Sequence, residues 1–194
     1  MALGKGDFLR MNDRGTLRRI YREGLTFEEF VARAGRRGEL FRRNYRDTEV
    51  PLDIRGVLAA LPGAHGGLRL LVMAEAGCPD AAENVPVLAR LSEASADVQL
   101  RCFFRDEHLD LDAAFRDSGA ERIPALFVCT AGFEVLGIWQ ERPAPAHRVI
   151  QAIRERRDEG QSSSYLAARL RRSYQTGEFR RATMEEVLAL MKAQ

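Results

Sequence analysis

Cysteine is scarce in this chain, which has three in 194 residues, at Cys78, Cys102 and Cys129. An odd number of cysteines, each more than twenty residues from the next, excludes the disulfide framework of a small secreted domain. The chain also lacks any C-x-x-C or H-x-x-x-H pair, the usual spacing of zinc ligands. We therefore expect no metal site and a reducing, cytoplasmic setting.

Long apolar segments are missing as well. No run approaches the roughly 20 residues that a transmembrane helix needs, so we expect no membrane association. The first residues, MALGKGDFLRMNDRG, contain no sustained apolar stretch before their charges, and we predict no secretory signal. No internal repeat is visible. A chain of this length can form one domain with extensions.

Charge is balanced overall, at a formal net +2, but it is unevenly placed. Arginine outnumbers acidic residues 11 to 5 between Arg10 and Arg46, and 9 to 4 between Arg148 and Arg181. Acidic residues outnumber arginine 13 to 7 between Arg69 and His147. This pattern favours basic flanks packed on an acidic middle. An anionic partner is the alternative, but interspersed glutamates and the lack of aromatic interleaving argue against nucleic acid.

The N-terminal third has helical periodicity. Leu17, Ile20 and Tyr21 predict one helix that ends at Gly24. Thr26 and Glu29 have the spacing of a capping box at the start of the next. The apolar face of that helical region is predicted to contain Phe27, Phe30, Val31, Leu40 and Phe41. A third short helix should begin near Asp53 and end at Pro62–Gly63.

The middle of the chain predicts the order β-α-β-α-β-β-α. Leu68 to Ala74 suits a strand buried on both faces. The next elements are a helix from about Pro79 to Ala94, a strand in DVQLRCFFRD, a short helix with Asp110 or Asp112 near its cap and Gly119 at its end, a strand in IPALFVCT, a strand in FEVLGIWQ and a helix that stops at Gly160. The first two strands should be parallel, and the last two an antiparallel hairpin with a two-residue turn at Ala131–Gly132.

The C-terminal part predicts a further helical segment from Tyr165 to Met191, with a break at Thr176–Gly177. Thr183 and Glu186 have capping-box spacing within it. Six aromatic side chains of the middle segment are predicted to pack in the core: Phe103, Phe104, Phe115, Phe127, Phe133 and Trp139.

Three features occur in this middle segment in a fixed order. Cys78 follows a buried strand and opens a helix; Pro86 lies eight residues later inside that helix; Ile123–Pro124 opens the third strand. Between Leu68 and Arg156 the chain therefore resembles the thioredoxin family. The resemblance implies an α/β, thioredoxin-like fold with a central mixed four-stranded sheet flanked by helices, with added N- and C-terminal helices.

The resemblance also implies an organisation and a site. Residues 67–157 would form the thioredoxin-like domain, with a helical extension over 1–66 and a second over 158–194 packed on the same domain. The long N-terminal segment and the acidic residue after Cys-Pro are similar to a bacterial subgroup of unassigned role. Cys78 would be the catalytic thiol, beside a cis Ile123–Pro124 bond. Gly77, Pro79, Ile123 and Pro124 would contact an extended peptide, held like an added strand.

The chain departs from the family's pattern at three positions. Ala81 stands where the second cysteine would complete C-x-x-C, Gly77 replaces the tryptophan before the first cysteine, and Val72 replaces a buried acid. This chain therefore lacks part of the set of residues with which a thioredoxin forms its own disulfide again after each reaction.

Two opposing effects are expected to act on the pKa of the Cys78 thiol. The N-terminus of a helix favours thiolate through its unpaired N–H groups and its dipole. Asp80, with Glu75 and Glu83 nearby, disfavours thiolate. We expect Cys78 to be less acidic than a thioredoxin nucleophile. Cys102 and Cys129 are predicted to be buried small hydrophobes that cannot reach Cys78.

Two functions remain open from the sequence. The first is monothiol thiol–disulfide exchange at Cys78, with no bound cofactor but a low-molecular-weight thiol as co-substrate and a peptide or protein thiol or disulfide as partner. The second is a non-catalytic peptide- or protein-binding module, whose helical flanks could form a homodimer or partner surface.

Overall fold

The computed structural model describes residues 14–61 and 66–192. The predictions that fall on Pro62–Gly63 and on His65 lie outside these residues. Over the described ranges, no helix has both the length and the apolar composition to cross a membrane.

The N-terminal part is helical, as its periodicity predicts. It contains α1 (Arg14–Glu23), α2 (Phe27–Arg33), a short 3₁₀ turn (Gly35–Arg37), α3 (Gly38–Arg46) and α4 (Leu52–Ala60). The capping box at the start of α2 is confirmed, since the Thr26 hydroxyl accepts from the Glu29 amide at 3.2 Å and the Glu29 carboxylate accepts from the Thr26 amide at 2.8 Å.

The prediction that Leu40 shares the buried apolar face was wrong. Phe27, Phe30, Val31 and Phe41 are buried, whereas Leu40 is 37% exposed. The 3₁₀ turn between α2 and α3 has about three residues per turn, so it shifts the phase of the helical pattern between the two helices.

The sheet contains β1 (Leu68–Ala74), β2 (Val98–Phe104), β3 (Ala125–Thr130) and β4 (Val135–Gln140), in the order β2-β1-β3-β4. β1 and β2 are parallel, and β3 is antiparallel to both β1 and β4. The predicted α/β architecture with a mixed four-stranded sheet flanked by helices is therefore confirmed.

The turn between β3 and β4 is longer than the predicted two residues. It spans residues 131–134 and is closed by the Thr130 amide, which donates to the Glu134 carbonyl at 2.9 Å. Phe133 adopts a φ of 65° in this loop. Its buried ring packs edge-to-face on Tyr21 of α1, with centroids 5.3 Å apart, and this contact holds the longer loop on the protein.

The remaining helices are α5 (Pro79–Glu93), α6 (Leu109–Asp117), α7 (Ala144–Asp158), α8 (Ser164–Gln175) and α9 (Glu178–Met191). The predicted break between α8 and α9 is confirmed at Gly177, where φ is 81°. Asp110 and Asp112 lie near the cap of α6, as predicted: both are in its first turn, after the N-cap residue His108.

The predicted capping box at Thr183 and Glu186 was wrong, because α9 starts earlier, at Glu178. The Thr183 hydroxyl instead donates to the Asn84 side-chain oxygen of α5 at 2.8 Å. The Glu186 carboxylate accepts from the Trp139 indole at 2.8 Å and from the Ala144 amide of α7 at 2.7 Å. Both side chains thus join α9 to other elements.

Helices cover both faces of the sheet. One face packs on α2, α3, α4, α5 and α9, and the opposite face packs on α1 and α6. Phe103, Phe115, Phe127, Phe133 and Trp139 are buried as predicted, and Phe104 is partly buried. The N-terminal helices therefore share the core of the sheet. The domain boundaries at residues 66 and 157 stay predictions.

Exposed ion pairs connect the basic N-terminal flank to the acidic middle. They join Arg14 to Glu134 (2.8 Å), Arg19 to Asp110 (3.8 Å) and Arg33 to Glu107 (2.5 Å). Exposed pairs of this kind each contribute at most about 1 kcal/mol. Their positions support the interpretation that the basic flank packs on the acidic middle.

Candidate functional site

The site lies where β1 ends and α5 begins. Cys78 is the N-cap residue of α5, with extended backbone (φ −82°, ψ 120°), and Pro79 occupies the first turn. Proline is tolerated there because no intrahelical hydrogen bond uses its missing N–H. The Cys78 carbonyl accepts from the Ala82 amide at 3.1 Å, so the first hydrogen bond of the helix fixes the orientation of Cys78.

The start of β3 faces this helix terminus. The Ile123–Pro124 peptide bond is cis. The Cys78 thiol Sγ lies 3.6 Å from the Ile123 carbonyl oxygen, to which it donates. The structure thus brings the segment Gly77–Pro79 next to Ile123 and Pro124, which lie more than forty residues further along the chain.

The surroundings of Cys78 make its thiol less acidic than a free thiol. Partial burial raises the pKa of Cys78, and the carboxylates of Asp80 and Glu75 raise it further. The backbone N–H groups of Ala81 and Asp80 act in the opposite direction. The net effect is a raised pKa for Cys78, so its thiolate fraction is lower than that of a free thiol at the same pH.

The other two cysteines lie in the sheet. Cys102 and Cys129 are fully buried, and all three cysteines are free thiols. Burial raises the pKa of Cys129 to about 12 and raises that of Cys102 as well. The Cys102 backbone also pairs with Leu25, which adds a bridge to the edge of β2. Neither thiol can act as a nucleophile without unfolding.

A buried charge cluster lies beside Cys78, and the sequence patterns did not reveal it. The Arg142 guanidinium contacts the Asp80 carboxylate and lies 2.6 Å from the Glu141 carboxylate. Glu141 and Arg142 are only 7% and 8% exposed. The side chain of Asn84 donates to the Asp80 and Glu141 carbonyls, at 2.9 and 3.3 Å. Asp80 is therefore fixed by the segment that follows β4.

The pKa of the Asp80 carboxyl is raised above its usual value. Burial raises the pKa of Asp80, whereas its ion pair with Arg142 lowers it. The only sequence signal for this pair is an acidic residue two positions after Cys78. Its partner lies 62 residues away, in a segment that no local pattern marks.

An open groove of about 520 Å³ begins at Gly77, next to Cys78. Residues of four segments line it: Arg33, Arg37, Glu75, Gly77, Phe104 and Glu107. A Cβ at position 77 would meet the tip of the Arg37 guanidinium, which is the far end of an exposed side chain, so a larger residue there would displace Arg37. Arg37 therefore lies directly beside Gly77 in this groove.

Metal ligands do not cluster in the described part of the chain, where no group of three or more His, Cys, Asp or Glu side chains could hold a metal ion. His108 is the N-cap of α6, and its ring packs edge-to-face on Phe103 with centroids 5.0 Å apart. His147 lies in the first turn of α7, with Nδ1 3.8 Å from the Glu141 carboxylate.

We expect Asp80→Asn to lower the pKa of Cys78 and to speed its alkylation at pH 7 by roughly three- to tenfold, because removal of one pKa unit is a tenfold change in thiolate. The carboxylate of Asp80 disfavours the thiolate, and its loss leaves the Arg142 charge nearby. The pH dependence of iodoacetamide alkylation, read by intact mass, gives this pKa.

The matched control is Glu93→Gln, which removes one charge from the far end of the same helix, about 20 Å away. It should leave the pKa of Cys78 unchanged. Equal alkylation profiles for the Asp80 variant and the unaltered protein would show that Asp80 does not tune the thiol.

The mixed sheet and its covering helices define a protein of the thioredoxin-like fold, in which Cys78 is a partly exposed cysteine at the start of α5. A family model described as thioredoxin matches residues 24–155, which is more than half of the chain. The chain belongs to this thioredoxin family. The matched region begins before α2 and ends within α7.

Two solved structures share the fold. A protein of unknown function from Pseudomonas aeruginosa is 21% identical, with a TM-score of 0.66, over 89% of this chain and 94% of its own. An HIV epitope scaffold is 18% identical, with a TM-score of 0.68, over 91% of this chain and 97% of its own. At these identities the likeness concerns the fold alone. No curated protein matches the chain.

Proposed function

We propose that the protein carries out monothiol thiol–disulfide exchange through Cys78. One observation supports this most directly: Cys78 is the only partly exposed thiol of the three, and it lies at the N-terminus of α5 beside the Ile123 carbonyl. The adjacent N–H groups of Asp80 and Ala81 can stabilise a thiolate once it forms.

The exchange proceeds in two balanced steps. The Cys78 thiolate attacks the R-bearing sulfur of a mixed disulfide P–S–S–R between a protein thiol and a small thiol, forms Cys78–S–S–R and releases the protein thiolate P–S⁻. A free small thiolate R–S⁻ then attacks the R-bearing sulfur of Cys78–S–S–R, which releases the Cys78 thiolate and R–S–S–R, so that the net reaction reduces P–S–S–R with R–S⁻. The external thiol thus replaces the missing second cysteine at position 81.

The groove beside Cys78 suggests the chemistry of the co-substrate. Arg37 is exposed at Gly77, and Arg33 lies further along the groove in an ion pair with Glu107. Glu75, Asp106 and Glu107 also line the groove, so its overall charge does not favour an anion, and the exposed Arg37 guanidinium is the group that can bind the carboxylate of a small thiol through paired N–H donors. The partner that delivers or receives the disulfide would be a peptide or protein thiol.

We expect oxidised glutathione to add one glutathione to the protein, at Cys78, with a rate that rises from pH 7 to beyond pH 9. The rise follows because the raised pKa leaves little thiolate at neutral pH. Intact mass spectrometry over time measures the adduct. Cys78→Ser should abolish it, whereas Cys102→Ser and Cys129→Ser, which alter buried thiols, should retain it. An adduct that persists in Cys78→Ser would contradict the proposal.

A non-catalytic peptide-binding module is the second candidate. The observation that favours it is the contact of the Cys78 thiol with the Ile123 carbonyl, to which it donates at 3.6 Å, and the raised pKa of Cys78, which lowers its thiolate fraction, agrees with this. A protein that only holds an extended peptide beside Pro124 needs no thiolate. If oxidised glutathione leaves Cys78 unmodified even above pH 9, this second function replaces the first.

A further inference from the structure

A second cavity lies beside α5, which contributes Glu83 to its lining. Its volume is about 350 Å³, and α3, α5, α8 and α9 all contribute to its walls. The side chains that characterise it are Arg43, Asp47, Glu83, Arg171, Tyr174 and Arg180. We propose that this cavity binds a small molecule that carries a phosphate group.

The cavity contains buried polar atoms that have no partner among the described residues. Arg180 is only 7% exposed, and its Nε has no acceptor, although its Nη1 donates to the Asp47 carbonyl at 2.7 Å. The Tyr174 hydroxyl and the Glu83 Oε2 are likewise buried and unpaired. A buried polar group without a partner costs free energy, so a ligand that supplies the partners is favoured there.

The charges of the cavity select an anion. Three guanidinium groups, from Arg43, Arg171 and Arg180, face two carboxylates, so the walls carry a net positive charge. Burial raises the pKa of Glu83, and the charges of Arg180 and Arg43 oppose this shift. Donors from several directions match the oxygen atoms of a phosphate group, for which arginine is the preferred side chain.

The volume of the cavity fits a phosphorylated small molecule better than a phosphate ion alone. Small-molecule sites in proteins have volumes of about 300 to 1,000 Å³. The Arg43 and Arg171 side chains are exposed and form the rim, whereas Arg180 forms the wall. A phosphate group at Arg180 would leave room for the remainder of the molecule towards Arg171.

Thermal unfolding with inorganic phosphate as the probe tests this site. We expect a saturable increase in Tm at constant ionic strength, since a ligand of the folded state stabilises it by mass action. Arg43→Ala and Arg171→Ala should each weaken the phosphate affinity at least fivefold. Both side chains are exposed, so these variants should still fold.

Each variant has a matched control on the same helix. Arg42→Ala and Arg172→Ala alter exposed neighbours that do not line the cavity, and they should keep the affinity of the unaltered protein. The proposal is overturned if sodium chloride at the same ionic strength produces the same increase in Tm. It is equally overturned if the four variants respond alike. Neither result would bear on the reactivity of Cys78, which is assayed separately.

Discussion

Replacement of Arg142 by alanine is expected to lower the free energy of unfolding by about 3–5 kcal/mol at pH 7. The guanidinium is 8% exposed and contacts the carboxylates of Asp80 and Glu141, so its loss leaves the partly buried Asp80 without its ion-pair partner and leaves the buried Glu141 with the exposed Arg122. Urea denaturation followed by the fluorescence of Trp139, the single tryptophan, measures the change.

The loss of stability in Arg142→Ala should become smaller as the pH falls from 7. Burial already raises the pKa of Asp80, and Arg142 partly lowers it, so removal of Arg142 raises the folded-state pKa further. The folded variant then binds a proton more tightly than the unfolded chain, and its stability falls as pH rises. The deficit is therefore largest above the raised pKa of Asp80. It shrinks as pH falls from 7 towards the ordinary carboxyl value near 4.

Arg122→Ala is the matched control, because Arg122 contacts the same Glu141 carboxylate at 3.3 Å but has 58% of its side chain exposed. Its loss should cost no more than about 1 kcal/mol. Equal losses for the two variants, or a deficit in Arg142→Ala that grows at low pH, would contradict the assignment of Arg142 as the counter-charge of Asp80.

Replacement of Phe30 by alanine is expected to lower the free energy of unfolding by about 3–5 kcal/mol. Phe30 of α2 is fully buried, stacks on Phe104 of β2 with centroids 4.4 Å apart, and contacts Phe41 of α3 at 5.6 Å. Alanine would leave a cavity between the N-terminal helices and the sheet. Urea denaturation should show a lower midpoint for one cooperative transition.

Leu40→Ala serves as the comparison within the same N-terminal region, since Leu40 is 37% exposed. It should cost under about 1 kcal/mol, as surface substitutions do. A Phe30 variant as stable as the Leu40 variant would show that the N-terminal helices do not share the core of the sheet. A separate early transition in Phe30→Ala would show that they unfold on their own.

The sequence predicted the elements closely where their signals are local. Leu68–Ala74 is apolar except for Arg69 and forms β1 with the predicted bounds. The Thr26 capping box needs only residues three positions apart, and it forms. Helices end just before three glycines that predicted helix ends: Gly24, Gly160 and Gly177. Glycine is favoured just beyond a helix end and disfavours continuation of the helix.

Local signals failed where a distant partner competes for the same side chain. Thr183 and Glu186 have capping-box spacing, but Asn84 binds the first and Trp139 binds the second. These partners offer buried hydrogen bonds that an exposed helix terminus does not provide. The prediction of a two-residue turn after β3 was wrong for a similar reason, because burial of Phe133 on Tyr21 favours the longer loop.

The amino-acid sequence by itself determined the α/β class, the order of the strands and helices, and the position of Cys78 at the start of a helix, because periodicity and capping act over a few residues. Only the tertiary structure decided what surrounds that sulfur. Arg142 reaches Asp80 from 62 positions away, and Arg37 fills the space beside Gly77 from forty positions before it. Electrostatic and steric contacts depend on the distance between two residues in space, and their separation along the chain does not determine that distance.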